Sequence, residues 1–569
     1  LKILDKYSIG LDYGTNSCRA LIVDLANGQE IASSVFNYPS GSLGVIVDAA
    51  DPHVARQNPA DYVQGAETTI LAAIKKAQND FPQFSKENII GIGVDTTGSS
   101  PMPVDREGRP LSYLQEFKDN PAALVWLWKD HTSYEQALAI TERAANTRPH
   151  YIDKIGGVYS SEWFWSKTWN IAQNYPDVFD AAYSFAEICD WIPAVLTGDT
   201  NPDNMKRSIC AAGHKAMFNE QWGGLPDTEF LNSLHPKLGD LRKRLYDKAY
   251  AADQAIGFLS KEWAHKLGLS AQVTVAGGAF DAHMGAVGAG VKTGTLVKIL
   301  GTSTCDVMVW PNKEKLADIP GVCGIVDGSV KNGYYGIEAG QSAVGDIFLW
   351  FVNNLVPESY GKTVDEKFEK LEKEALKLKP GESGLLALDW NNGNRTILVD
   401  VRLTGLMLGQ TLHTKAHEIY RALIEATAFG ALAIIDRIEE NGVKIMEVVN
   451  CGGLAAKNTL LMQTYADITN RPMKVSQSDQ TPALGAALFA AVAAGKNAGG
   501  YDNVEEAQQA MTGTRQVYMP IPENHNVYKE LYKLYKQLHD GFGTSNNKTS
   551  MYNVMKDLLN IRDQVRRKE

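Results

Sequence analysis

Two aspartates and three glycine-led turns are the parts of this sequence best equipped for chemistry on a polyphosphate. Asp12 ends an apolar run and opens the stretch Asp12-Tyr13-Gly14-Thr15-Asn16. Asp281 follows another apolar run, in Gly277-Gly278-Ala279-Phe280-Asp281-Ala282-His283. The Gly14-Thr15-Asn16 turn and its counterpart Gly301-Thr302-Ser303 would each expose backbone N–H groups and hydroxyls at a hairpin tip, a concave donor set that cradles an anion. Either turn alone reads equally well as an ordinary hairpin. Two of them on opposite lobes could grip a nucleotide polyphosphate from both sides. Asp12, at a strand end, is placed to hold Mg²⁺ directly or through water. Asp281 is expected at the start of a helix, where the dipole favours a carboxylate. It could take a hydroxyl proton there, and a plain N-cap aspartate would occupy the same place. A third turn, Cys451-Gly452-Gly453-Leu454-Ala455, joins a strand to a helix and permits close approach of a flat or phosphorylated group, although strand-to-helix connections use such glycine pairs routinely. A Walker loop is excluded: Gly361-Lys362-Thr363 lacks the leading glycine, Val356 standing in its place.

The elements that must position these groups are legible around them. Residues 7–34 read as a three-stranded meander, with Asn27-Gly28 as the second hairpin turn. Residues 296–310 repeat its opening plan of strand, Gly-Thr turn, cysteine and strand nearly 290 residues later, which suggests a duplication with one copy opening each half. Val273 to Gly278 is a short buried strand, and Ala282 to Ala289 the helix after it. Residues 446–473 give a strand, the Gly-Gly turn and a helix. Residues 415–440 form a long amphipathic helix with Ile419, Leu423, Ala426, Leu432, Ile435 and Ile438 on one stripe, stopped by Asn441-Gly442. Residues 363–378 are a charged surface helix, and 541–550 (GFGTSNNKTS) a polar linker before an amphipathic tail. Strands alternating with helices make both halves α/β, and the meanders make the sheets mixed.

Length and composition limit the function classes. A chain of 569 residues exceeds what one core usually serves, so two large domains are expected. We set them at 1–290 and 291–540, flanking a central cleft, with 541–569 as linker and tail. A net charge of -10 without a basic block argues against nucleic acid as a partner. Six scattered cysteines with no CxxC pair suit a reducing compartment. With no apolar run long enough for a bilayer and no signal pattern in the first residues, the expected location is the cytoplasm, away from membranes.

An ordered set of motifs then narrows the reading. DYGTNS, GIGVDTTG, Leu127-Trp128-Lys129-Asp130, SSEWFWSK (160–167), GGAFDAH, GTSTCD and CGGLAAKN follow one another as in the FGGY carbohydrate kinases of the actin-like ATPase superfamily, which the chain resembles from residue 7 to about 540. AGHK (212–215), EAGQSA (338–343) and LALDWNNGNR (386–395) resemble the branch acting on L-ribulose. The resemblance implies two actin-like (ribonuclease H-like) domains and transfer of a phosphoryl group from MgATP to L-ribulose, or to a related ketopentose such as xylulose or D-ribulose, in L-arabinose breakdown. A non-kinase actin-like ATPase would share the phosphate turns but has no use for the sugar-facing segments.

By position, the resemblance makes Asp281 the catalytic base and Asp12 the metal-linked carboxylate. Gly14, Thr15 and Asn16 match the first phosphate turn, and Gly301, Thr302 and Ser303 the second. Gly452, Gly453 and Asn458 match the adenosine segment, and Gly345 lies where the family approaches the nucleotide. Gly98, Lys215 and Glu338 match sugar contacts. On their own, Lys215 and Glu338 read as surface charges. Gly98-Ser99 stands where glycerol kinases carry an Arg-Glu pair, which disfavours glycerol. A homo-oligomer is expected, a dimer first.

Overall fold

The computed structural model describes residues 5–545, 547–548 and 554–567. Two mixed sheets organise it. The strands of the first are β1 (Tyr7–Tyr13), β2 (Ser17–Asp24), β3 (Glu30–Asn37), β4 (Ile89–Thr96), β5 (Ala255–Phe258) and β6 (Thr274–Phe280), in the order β5-β6-β4-β1-β2-β3. The second contains β7 (Thr295–Leu300), β8 (Thr304–Pro311), β9 (Gly324–Asp327), β10 (Tyr334–Ala339), β11 (Glu447–Cys451), β12 (Met473–Ser476) and β13 (Thr514–Tyr518), in the order β9-β10-β8-β7-β11-β12-β13. In both sheets a hairpin (β1–β2, β7–β8) carries a third antiparallel strand on its outer side (β3, β10). In both, parallel strands continue the other way (β4 and β6; β11 and β12), and the last strand is antiparallel (β5, β13). Six strands thus correspond one to one, with β9 as an extra edge. The repeated hairpin plan read in the sequence therefore belongs to a repeat of the whole sheet.

The central strands β4 and β6 are buried throughout, as parallel strands covered on both faces must be. Tyr13 packs edge-on against Tyr62 of the helix Pro59–Asp80 on one face. The helix Thr481–Ala494 lies on the other so closely that a Cβ on Gly10 would sit 1.8 Å from the Ala483 carbonyl oxygen, and one on Gly93 1.9 Å from that of Ala486. Only glycine fits at these two places. Side chains alternate along a strand, so Asp12 and Asp95, two residues beyond these glycines, face the same side. That side is where the helices Asp281–Gly288 and Thr481–Ala494 pack on each other between the sheets. A helix from the C-terminal half of the sequence thus belongs to the packing of the first sheet.

Between β4 and β5 the chain builds an additional lobe with its own aromatic core, including Trp126, Trp165, Phe185 and Phe230. Its boundaries carry no strong periodic signal in the sequence. The helix Ala416–Glu440 is buried on every face between Tyr420 and Ala431, where a one-sided stripe was expected, because sheet and helices enclose its middle. The expected linker at 541–550 is also shorter: the helix Pro522–Gly543 runs through its first three residues, and Ser550 and Asn546 are among positions outside the described residues. The tail helix Val554–Arg567 packs on Pro522–Gly543, with Val554 and Leu558 in the core of the second domain. Among the described residues no helix is long and apolar enough to cross a membrane.

Candidate active site

Three parallel strands end side by side, and each delivers a carboxylate to the same edge. Asp12 of β1 is the register partner of Asp95 in β4, and Asp281 follows directly on β6, whose Ala279 pairs with Asp95. Asp95 was read in the sequence only as part of a motif. Its signal was the echo of Ile9-Gly10-Leu11-Asp12 in Ile92-Gly93-Val94-Asp95. Asp95 is fully buried, and neither of its carboxylate oxygens has a hydrogen-bond donor. Burial pushes its pKa well up, and the Asp12 and Asp281 carboxylates push it further. Burial also raises Asp12, against Asp95 and the Arg19 guanidinium 3.9 Å away. Asp281 is pushed up to about 7, first by burial and then by Asp12; the bond from the Ala282 N–H to its Oδ1, 2.7 Å, only partly counters this. An all-oxygen set, half-buried at Asp12 and Asp281 and with the buried Asp95 carboxylate unpartnered, fits a hard divalent cation such as Mg²⁺.

The glycine turns fall into two groups. Next to Asp12, the Gly14 N–H bonds the Ser17 carbonyl at 2.9 Å, closing the first turn. Trp128 Nε1 donates to Thr15 Oγ1 at 3.1 Å, and Gln57 Nε2 to the Thr15 carbonyl at 2.6 Å. The Asn16 side chain donates to the Leu43 carbonyl, so it braces a neighbouring loop. On the second sheet, the Gly301 N–H closes its turn on the Ser303 carbonyl at 3.0 Å. The N–H groups of Val344 and Gly345, entering the helix Gly345–Asn354, bond the carbonyls of Thr302 and Gly301 at 2.8 and 3.1 Å. Gly452, at φ +95°, lies against the Leu300 carbonyl, and the space beside Gly453 is open. Gly301, Thr302, Gly345, Gly452 and Gly453 therefore form one patch. Asn458 faces inward: it is buried, its Oδ1 caps the next helix at the Leu461 N–H, and its Nδ2 donates to the Tyr420 hydroxyl.

Lys215 and Glu338 are not surface charges. Lys215 ends the helix Ile209–Lys215, is 8% exposed, and donates to Glu338 Oε1 and Oε2 of β10 at 3.1 and 3.3 Å. Its ammonium lies over the rings of Trp163 and Phe280. Burial works against both charges, but each partner outweighs it: Glu338 stays well below the usual carboxylate range and Lys215 is raised. The pair joins the two halves of the chain. Asp281 senses Glu338 as a nearby negative charge, so the base candidate and this pair share one region.

Two charged groups that the sequence did not single out hold the loop carrying Gly98. Lys167 is fully buried and donates to the carbonyls of Ser99 and Leu127 at 2.8 Å each and of Trp126 at 3.3 Å. Glu187 accepts from Ser99 Oγ and the Ser100 N–H, both at 2.6 Å. Trp128, next in the clamped segment, packs beside Gly98 and reaches Thr15, so the loop at Gly98 and the Gly14-Thr15-Asn16 turn are tied together. An ammonium supplies three donors for these three carbonyls, whereas methionine supplies none. Lys167→Met should lower kcat/KM for the acceptor by about 10–100-fold while changing the nucleotide Kd less than about threefold. Steady-state kinetics and nucleotide titration check this. Equal losses on both sides would mean general loosening.

Comparison with known proteins agrees with this arrangement. The profile of the FGGY family of carbohydrate kinases, N-terminal domain, matches residues 7–288, and that of its C-terminal domain residues 296–494. A protein named ribulokinase from Halalkalibacterium halodurans is 44% identical over 560 residues, covering 95% of this chain and 96% of that relative. One from Geobacillus thermodenitrificans is 44% identical over 573 residues, covering 99% and 98%. Among solved structures, a gluconate kinase from Lactobacillus acidophilus superposes with a TM-score of 0.75 at 20% identity, over 96% of this chain and all of that one. A Plasmodium falciparum glycerol kinase with ADP reaches 0.74 at 17%, over 94% and 98%. With duplicated sheets, carboxylates converging on one edge, and both family profiles matching in order over most of its length, the chain belongs to the FGGY family of carbohydrate kinases.

Proposed function

We propose that this kinase transfers the γ-phosphoryl group of ATP to L-ribulose, giving ADP and L-ribulose 5-phosphate, with Asp281 as general base. The observation that carries the reading is the position of Asp281, between the Asp12–Asp95 pair and the Lys215–Glu338 pair, with a pKa of about 7. A base poised there is a carboxylate for about half the time at neutral pH and strong enough to accept a hydroxyl proton. The likeness to proteins named ribulokinase supports the choice of sugar.

In this reading Lys215 donates to the sugar's carbonyl or hydroxyl oxygens and Glu338 accepts from its hydroxyls, while the loop at Gly98 leaves room for the chain of a ketopentose. Asp281 takes the proton of the terminal hydroxyl as its oxygen bonds to the γ-phosphorus and the bond to the β-phosphate oxygen breaks. Gly14, Thr15 and Asn16 on one side, and Gly301, Thr302 and Ser303 on the other, hold the phosphates through backbone N–H groups and hydroxyls. Gly345, Gly452 and Gly453 admit the nucleoside. Asn458 acts by fixing that segment, since its side chain is committed to the interior. Asp12, with Asp95, would hold Mg²⁺, which supplies charge neutralisation for the polyphosphate. A coupled ADP-release assay over L-ribulose, D-ribulose, D-xylulose and glycerol tests the assignment. L-ribulose should have the highest kcat/KM. A higher value for D-xylulose would move the chain to another branch of the family, and no response to any pentulose would overturn the reading.

A further inference from the structure

Beside the proposed sugar site lies a constellation that phosphoryl transfer does not use. His214 precedes Lys215 in its helix, and His283 lies two residues beyond Asp281. His214 Nδ1 and His283 Nε2 each stand 3.5 Å from Glu338 Oε2, and the three atoms lie within 4.8 Å of one another. His283 is 2% exposed, and neither of its ring nitrogens has a hydrogen-bond partner. His214 is 1% exposed; its Nε2 meets Ser329 Oγ at 2.9 Å, and its Nδ1 has no partner. Buried polar atoms are rarely left unpaired, and two of these nitrogens, one on each ring, face a single carboxylate oxygen and call for a ligand.

We infer that His214, His283 and Glu338 form a site for one divalent transition-metal ion of the Zn²⁺ class, and that its occupation blocks sugar binding. The donor set is two imidazoles and a carboxylate, which suits Zn²⁺, Co²⁺ or Ni²⁺ and not Mg²⁺. Ligands about 2.1 Å from a tetrahedral ion lie roughly 3.4 Å apart, close to the two nitrogen–oxygen spacings found here. Ser329 supplies the partner on the far nitrogen that orients a ligating histidine and fixes its tautomer. The Gly324 backbone packs against His214 Nδ1, where a Cβ would come within 2.2 Å, so only glycine fits beside this nitrogen. Lys215 is the opposing element. Its ammonium already bonds both oxygens of Glu338, so an ion on Oε2 leaves it Oε1 alone and repels it. Micromolar affinity is expected on that account, the strength of an inhibitory site. The blocking effect rests on the reading of Glu338 and Lys215 as sugar ligands; the binding itself does not.

The test uses the full chain, stripped with chelator and titrated with Co²⁺ as a spectroscopic probe. With excess Mg²⁺ present to fill the Asp12–Asp95 carboxylates, one Co²⁺ per chain should bind with visible d–d absorption, and Zn²⁺ should displace it. His283→Gln and His214→Gln should each weaken Co²⁺ binding by at least about tenfold, and Ser329→Ala, which spares all three ligands, by about 10-fold or somewhat less. Zn²⁺ should raise KM for the sugar and leave KM for ATP unchanged. Absence of saturable Co²⁺ binding by the folded wild type would overturn the site. So would unchanged affinity in folded His283→Gln or, where that variant does not fold, in Ser329→Ala. Zn²⁺ inhibition that competes only with ATP would overturn the blocking effect. Co²⁺ stoichiometry requires no turnover: a chain inactive on every pentulose that still binds one Co²⁺ keeps the metal site and loses the kinase reading, and an active kinase that binds none does the reverse.

Discussion

Asp281→Asn should remove most turnover, leave nucleotide affinity near that of the unaltered chain, and make the protein more stable above neutral pH. The amide cannot accept the acceptor hydroxyl's proton, and general-base contributions are typically about 10²–10⁴ in rate. The patch at Gly301, Gly345 and Gly452 proposed to take the nucleotide lies at the other sheet and is untouched. The stability effect follows from the direction of the pKa shift. Asp281 is raised to about 7, by burial first and Asp12 second, from the roughly 3.9 of a free aspartate. A carboxyl raised on folding contributes stability that is fully present below about pH 4 and lost as pH rises through about 7. Asparagine carries no such loss. Because Asp281 is partly exposed, screening reduces the gain to about 1–2 kcal/mol at pH 8. Thermal melts of both proteins at pH 5, 7 and 8 should show a gap that opens with pH. The wild-type kcat/KM should fall on the acid side of about pH 7 as the base protonates. More than a tenth of wild-type turnover in the variant, or a gap that does not depend on pH, would remove Asp281 from the role of base.

Most of the candidate site was legible where it is built from backbone. The Gly-Thr turns, the Gly452-Gly453 turn and the aspartate after β6 are punctuation: glycine and polar residues interrupting apolar strands, with local spacing to mark them. The two sheets followed from the same signal, and even the duplicated hairpin was visible. What was hidden depends on residues far apart in sequence. Lys215 and Glu338 look like solvated charges until a helix of one half and β10 of the other bring them together. Lys167 and Glu187 lie in a lobe inserted between β4 and β5, and nothing local announces that both close on one loop. Asn458 shows the opposite limit. Its position by resemblance pointed to the nucleotide, but its side chain caps a helix and bonds Tyr420, a role that any N-cap asparagine can fill. The helix Thr481–Ala494 is nearly uniformly apolar, so its sequence did not say which sheet it covers; the glycines of β1 and β4 did, once they were seen to be gaps for a helix.

Glu338→Ala should damage both folding and sugar use, and a second substitution should repair only the first. The Lys215 ammonium is buried over Trp163 and Phe280, and Glu338 is its sole ion-pair partner among the described residues. Truncating the carboxylate leaves an uncompensated buried charge, which costs about 3–5 kcal/mol. Replacing both partners by apolar side chains, Lys215→Met with Glu338→Leu, removes the charge and its penalty together, so the double variant should recover most of the lost stability. Sugar binding should not recover, because hydrogen bonds from charged groups are worth about 1.5–3 kcal/mol each and neither replacement can make one; kcat/KM for the sugar should stay at least about tenfold down. KM for ATP should remain within a small factor in every variant. The pair also spans the two halves of the chain, so a sugar that engages both members adds contacts across the cleft and favours its closed form. Sugar-free ATP hydrolysis should therefore be slow in the wild type, and in the double variant the sugar should no longer tighten nucleotide binding. Urea midpoints for the wild type, the single variant and the double variant, measured beside KM for sugar and ATP, separate these effects. A double variant no more stable than Glu338→Ala would mean that the lost stability was packing and not an orphaned charge. A rise in KM for ATP with the sugar KM unchanged would place the pair on the nucleotide side of the cleft.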